Sequence, residues 1–307
     1  MTLFEPDVVL DKIKQGYEFK QAELSRLKLE STNINEAKFI ECYMRGAILT
    51  DVSCRHTNFR ETNLTFAKLN RVNLSQANLE RTELNSASLN NVILNEANGY
   101  KLRLFGAKLN EVKAINTNFA FADLRQISGN EIHFSSANLA KAFLTQARCD
   151  RINFERATIT NANFQGSKIS NSRWHKANLQ NSNFNKSQID NANFTDASLV
   201  NTKFVQARLE IVNFTAGELL ETNFTQAELT EIDFTDTTLL SANFEGAKLN
   251  SVNLTNANLQ DANLEKTTWH NAIFDNCNVD GAVFSDALGL TEEQKQWLKQ
   301  NGALNVN

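Results

Sequence analysis

The sequence predicts an all-β chain wound as a four-sided parallel β-helix, with a short helix capping each end. Three observations predict it. Only 11 Gly and one Pro, Pro6, punctuate 307 residues, too few for separate elements joined by ordinary loops. From Phe19 to Phe284 a five-residue rhythm runs without insertion or deletion, giving 54 successive repeats, and in 49 of them the central residue is Leu, Ile, Val, Met, Phe or Trp. Between residues 154 and 249 the central residues whose numbers end in 4 are all aromatic, and those ending in 9 are all Leu or Ile.

A period of five fits neither the 3.6 of a helix nor the 2 of an extended strand. With the central position called i, small side chains dominate at i−2, as in Ala192, Ala197, Thr202 and Ala207, while the other three places are mostly polar. Two inward positions in five describe a segment that runs in, out, in and then turns a corner. Coils built this way stack and satisfy one another's backbone groups. For aromatic to stack on aromatic the coil needs an even number of sides, and two sides enclose no core, so four sides and 20 residues per coil follow. The 54 repeats then make about 13 coils, some 65 Å long at the ordinary strand spacing.

Taken in order, residues 1–18 form the N-terminal cap, 19–288 the repeats and 289–307 the C-terminal cap and tail. "PDVVLDKIKQG" reads as an amphipathic helix opened by Pro6 and closed by Gly16, its Val9, Leu10 and Ile13 turned to the first coil. "LTEEQKQWLKQNG" reads as a second, with Thr291 as N-cap, Gln294 as its capping-box partner and Gly302 as the stop, so that Trp297 and Leu298 plug the last coil. Covered ends resist strand addition, which favours a monomer.

"ANFTDASLVNTKF" and "ANLQDANLEKTTW" resemble the A-(D/N)-(L/F)-x-x motif of the pentapeptide-repeat proteins, and the resemblance spans residues 19–288. It implies a right-handed quadrilateral β-helix, in agreement with the side count, and it implies handedness that periodicity alone does not give. Some members resemble duplex DNA in size and charge and inhibit or protect DNA gyrase or topoisomerase, so the resemblance also offers DNA mimicry as a function. It implies no general enzymatic activity.

Chemistry finds little support. Catalysis needs convergent groups in a concave place, which a smooth coil is not expected to offer. His56, His133, His175 and His270 stand without partners at metal-ligand or triad spacing, and Cys42, Cys54, Cys149 and Cys277 form no CxxC or Cys/His cluster. The expectation is a non-enzyme with no cofactor and no metal. No apolar run approaches the length of a membrane span, and the first residues lack the pattern of a secretory leader. No membrane association and a cytoplasmic location are therefore expected.

Three surface features remain. Residues 205–307 carry 5 basic and 15 acidic groups against 26 and 20 in residues 1–204, and Glu210, Glu218, Glu221, Glu228, Glu231, Asp233, Asp236 and Glu245 take outward places, read as divided among three faces. They are the candidate mimicry surface. Arg151, Arg156, Arg173 and Lys176 make a basic edge, but without interleaved aromatics it is a poor nucleic-acid site, so direct nucleic-acid binding is not expected. Phe66, Tyr100, Phe105, Phe121 and Phe143 fall on outward places of two neighbouring faces around one corner when numbered modulo 20. A contiguous apolar area of this kind marks an interaction surface. The rival reading turns Tyr100 or Leu102 inward to fill the space left by Gly99.

The function expected is therefore a protein-protein interaction rod that binds an unidentified protein partner through its side. Gyrase or topoisomerase inhibition by DNA mimicry and a purely structural spacer are the alternatives.

Overall fold

The computed structural model describes residues 4–307 and divides into two compact units, Met1–Ala157 and Thr158–Asn307. Each is a parallel β-solenoid with 20 residues per coil. In the first unit Leu29, Leu49, Leu69, Leu89, Leu109, Gly129 and Cys149 pair in one parallel register, and Phe19 pairs with Phe39 in a separate two-stranded ladder. In the second the register runs Ile169, Ile189, Leu209, Leu229, Leu249 and Trp269.

Each letter of the repeat has a physical task. The residue at i is nearly always buried, and on most sides of the coil its carbonyl accepts the amide of i+3, as Leu64 does from Ala67 at 2.9 Å. That turn needs a left-handed third residue, and nearly every i+2 residue has φ between about +47° and +63°. The Asn or Asp at i−1 accepts the amide of i+1 through its side chain, as Asn63 does from Thr65 at 3.0 Å. The i−2 side chain points inward beside its large neighbour and must be small. Where it is Thr or Ser, the buried hydroxyl often donates to a carbonyl of the preceding coil: Thr82 to Phe59 at 2.7 Å, Thr202 to Leu179 at 2.9 Å.

The core shows why four sides are needed. In the second unit Phe164, Phe184, Phe204, Phe224 and Phe244 stack 4.5 to 5.1 Å apart on one side, and Trp174, Phe194, Phe214 and Phe234 stack 5.0 to 5.2 Å apart on the opposite side. Leu and Ile fill the two sides between. The two buried indoles keep their N–H groups bonded by borrowing the i−2 hydroxyl, Trp174 from Ser172 and Trp269 from Thr267, both at 2.8 Å.

Helix α1 (Pro6–Lys14) ends in a Schellman turn, with Gly16 at φ +73° donating to Ile13 and Tyr17 donating to Lys12. Of its apolar residues Val9 is fully buried, whereas Leu10 and Ile13 are only partly covered. Helix α2 (Glu292–Gln300) has the expected capping box between Thr291 and Gln294. Gln294 also donates to the Ala272 carbonyl at 2.9 Å, Leu298 is buried, and half-buried Trp297 stacks on Phe274. No helix among the described residues is long and apolar enough to cross a membrane.

Candidate functional site

The five outward aromatics all lie in the first unit. Gly99 holds a central place, and a Cβ built there would sit 2.5 Å from Cε1 of Phe119 and 3.2 Å from Leu102. Phe119 of the next coil and Leu102 therefore fill the space, and Tyr100 does not turn inward. It stays half-buried on the outside, its ring edge against Phe121 with centroids 5.6 Å apart. Phe121 and Phe143 are 38% and 46% exposed, and both line a shallow cleft of about 400 Å³ with Lys101, Arg103, Asp123 and Arg125. The expectation of a side without concavity is thus corrected: long side chains rising from successive coils leave clefts between them.

Phe105 joins this group through Arg125, whose guanidinium carbon lies 5.5 Å from the Phe105 ring centre. Phe66 does not join it. By register it lies on the same corner turn as Phe105 but two coils earlier, where Arg45 covers its ring at 4.9 Å. The corner cluster is therefore Tyr100, Phe121 and Phe143, with Phe105 beside it.

Cations surround the rings, and these sequence reasoning missed. Lys101 lies 5.2 Å from the Tyr100 ring centre and Lys141 lies 5.3 Å from that of Phe121. Arg103 donates to Glu83 at 2.8 Å, and Arg125 makes a two-pronged contact with Asp123 at 2.8 and 2.6 Å. Partial burial pushes the Asp123 carboxyl up, but the bonds from Arg125 outweigh it and hold the group below its ordinary value. The signal was available: Lys101, Phe121 and Lys141 stand 20 residues apart in one outward column.

The backbone under Phe121 is costly for such a residue. Phe121 sits at φ +60° and Phe66 at +62°, in a region bulky side chains rarely adopt. Neither ring gains full burial in return.

The acidic residues of the second unit are dispersed. By register Glu210, Glu228 and Glu231 share one side, Glu218 and Glu221 a second, and Asp233 and Asp236 a third, while Glu245 lies on the corner turn 244–247. Three of them are paired with cations: Glu210 with Arg208, Glu228 with Lys248 and Glu245 with Lys266, at 2.8 to 3.0 Å. Asp233 accepts the Thr235 amide and serves the turn. On the basic edge, Arg151 is matched by Glu131 and Asp150.

Among the described residues no three His, Cys, Asp or Glu side chains converge on a metal-sized site. His175 contacts the Thr195 carbonyl and His270 the Asn250 side chain. The four cysteines are free and buried, and burial raises their thiols, Cys149 and Cys277 to about 12.

Two descriptions of one repeat match the sequence: "Pentapeptide repeat region" over residues 167–244 and 192–264, and "Pentapeptide repeats (8 copies)" over 22–65, 57–96, 137–173 and 253–288. No curated protein matches the chain. Among solved structures, full-length QnrB1, a plasmid-mediated fluoroquinolone resistance protein, is 17% identical over 64% of this chain and 89% of its own, with a TM-score of 0.40. HetL from the cyanobacterium Nostoc sp. strain PCC 7120, a pentapeptide repeat protein involved in heterocyst differentiation regulation, is 21% identical over 92% of this chain and 98% of its own, with a TM-score of 0.19. A pentapeptide repeat protein of the Arabidopsis thaliana thylakoid lumen is 23% identical over 45% of this chain and 80% of its own, with a TM-score of 0.20.

Proposed function

This chain belongs to the pentapeptide-repeat family, whose solenoids have structural and interaction roles, and we propose that it is a non-enzymatic binder of another protein through the side of its first unit. The observation that carries the reading is the outward cluster of Tyr100, Phe121 and Phe143, with Phe105 beside it, on backbone already engaged in the coil ladder. The Phe121 amide donates to the Ala140 carbonyl at 2.9 Å and the Lys101 amide to Ala120 at 3.0 Å. These residues do not need to be ordered on association, so binding loses less conformational entropy than it would on a flexible loop. Aromatic side chains are also enriched in the cores of protein interfaces.

The reading is tested by changing Tyr100, Phe105 and Phe121 together to Ser and comparing proteins captured from host lysate with those of the wild type. Loss of specific partners from an equally folded variant supports it. Equal capture of the same partners by both proteins would end it.

A further inference from the structure

We propose that the partner segment seated on this corner is an acidic amphipathic helix of another protein, its carboxylates on Lys101 and Lys141 and its apolar face on Phe121 and Phe143. The inference rests on the interaction reading above and adds the chemistry of the occupant.

Charge complementarity is the first support. The arginines of the cleft are compensated, Arg103 by Glu83 and Arg125 by Asp123, and Arg81 below is matched by Glu61. Lys101 and Lys141 make no ion pair with any carboxylate among the described residues; their ammonium groups lie against the Tyr100 and Phe121 rings, and Lys101 also borders a second cleft with Glu61 and Glu83. Two cations free of ion pairs beside exposed aromatic surface call for two anionic groups joined by apolar ones.

Spacing selects the helix. Lys101, Phe121 and Lys141 occupy one column at successive coils, as the paired registers of the first unit require. Strands of neighbouring coils lie about 4.8 Å apart, so the two lysines are rooted about 10 Å apart with the ring between them. A helix returns to the same face after seven residues, at about 10.5 Å, with the third and fourth residues between. An extended chain repeats its face at about 6.6 and 13 Å and matches neither lysine pair nor ring.

A single-stranded nucleic acid fits less well. It stacks bases on open ring faces and follows a run of free cations. Here Glu83 and Asp123, paired with Arg103 and Arg125, interrupt the positive charge beside the rings.

The test uses the full chain and a displayed library of 18-residue helical peptides randomised along one face. Wild type is expected to enrich peptides with Asp or Glu seven residues apart and an apolar residue between them. Phe121→Ser should lower that enrichment at least tenfold, and the double variant Lys101→Glu, Lys141→Glu should enrich Lys and Arg at the same two positions. Thermal melts confirm that each variant is folded. Enrichment without the acidic pair, the same peptides on the charge-reversed variant, or no enrichment above Phe121→Ser would overturn the proposal. Tighter binding of labelled oligothymidylate than of any selected peptide would overturn it in favour of nucleic acid. If the triple Ser variant loses its captured partners while the library shows no acidic pair, only this inference fails; if capture is unchanged, the interaction reading itself fails.

Discussion

Phe119 occupies the space that a side chain on Gly99 would take, its Cε1 lying 2.5 Å from the position of a Cβ built on that glycine. The glycine is a complement to a large ring one coil away and not a lost repeat. Restoring the usual residue with Gly99→Leu should therefore lower stability, by about 1 to 3 kcal/mol as overpacked cores do. Adding Phe119→Leu should recover part of that loss, although alone it removes volume. Thermal melts of the two single variants and the double variant measure the coupling. A Gly99→Leu protein as stable as wild type contradicts the packing described.

Hydroxyls at the inward i−2 place should differ in worth according to their partners. Thr82 donates to the Phe59 carbonyl at 2.7 Å, so Thr82→Val should cost about 1 kcal/mol. The Ser167 hydroxyl has no partner among the described residues, so Ser167→Ala should be neutral or stabilising. Denaturant midpoints of the two variants separate these outcomes. Equal losses would show that size alone sets the i−2 place.

Buried thiols make the fold sensitive to alkali. Burial raises Cys149 and Cys277 from the ordinary 9.0 to about 12. The folded state therefore holds protons that the unfolded state releases, and the associated stability, fully present below pH 9, falls as pH rises from 9 to 12. The double variant Cys149→Ala, Cys277→Ala should lose less of its melting temperature across this range than wild type. Parallel curves for the two proteins would contradict the burial of the thiols. A thiol reagent at pH 8 should likewise label these cysteines only after unfolding.

Left-handed corners offer a stabilising change. Ile211 is β-branched, 48% exposed and at φ +55°, where Asn161, Asn181 and Asn201 stand in equivalent places of other repeats. Asn tolerates this backbone better, so Ile211→Asn should raise stability by about 1 kcal/mol. Phe121→Asn should do the same while abolishing partner capture. A Phe121→Asn protein that is less stable than wild type would show that the ring serves folding.

Much of the fold was legible because the repeat is a direct record of the backbone. The five-residue period marked the corners, and the alternation of Phe194 and Phe204 with Leu199 and Leu209 required four sides. The capping box at Thr291 and Gln294 was readable because both partners lie within one turn. The fate of Gly99 was not, since whether Tyr100, Leu102 or Phe119 fills a vacated place depends on packing between coils. Phe66 was misjoined to the cluster because position modulo 20 places it beside Phe105 around the coil, whereas it stands two coils away along the stack, under Arg45. Lys101 and Lys141 were overlooked because charged residues at outward places look alike until the column through Phe121 is drawn.

The central claim is that one corner of the first unit is the contact surface, and site-specific photocrosslinking tests it most directly. A benzophenone side chain would replace Phe121 in one protein and, in another, Asn181, which is exposed at the equivalent place of a later coil. Both proteins would be irradiated in host lysate. The corner surface predicts a discrete adduct from position 121 and none from position 181. No adduct at 121, or the same adducts from both positions, would contradict it.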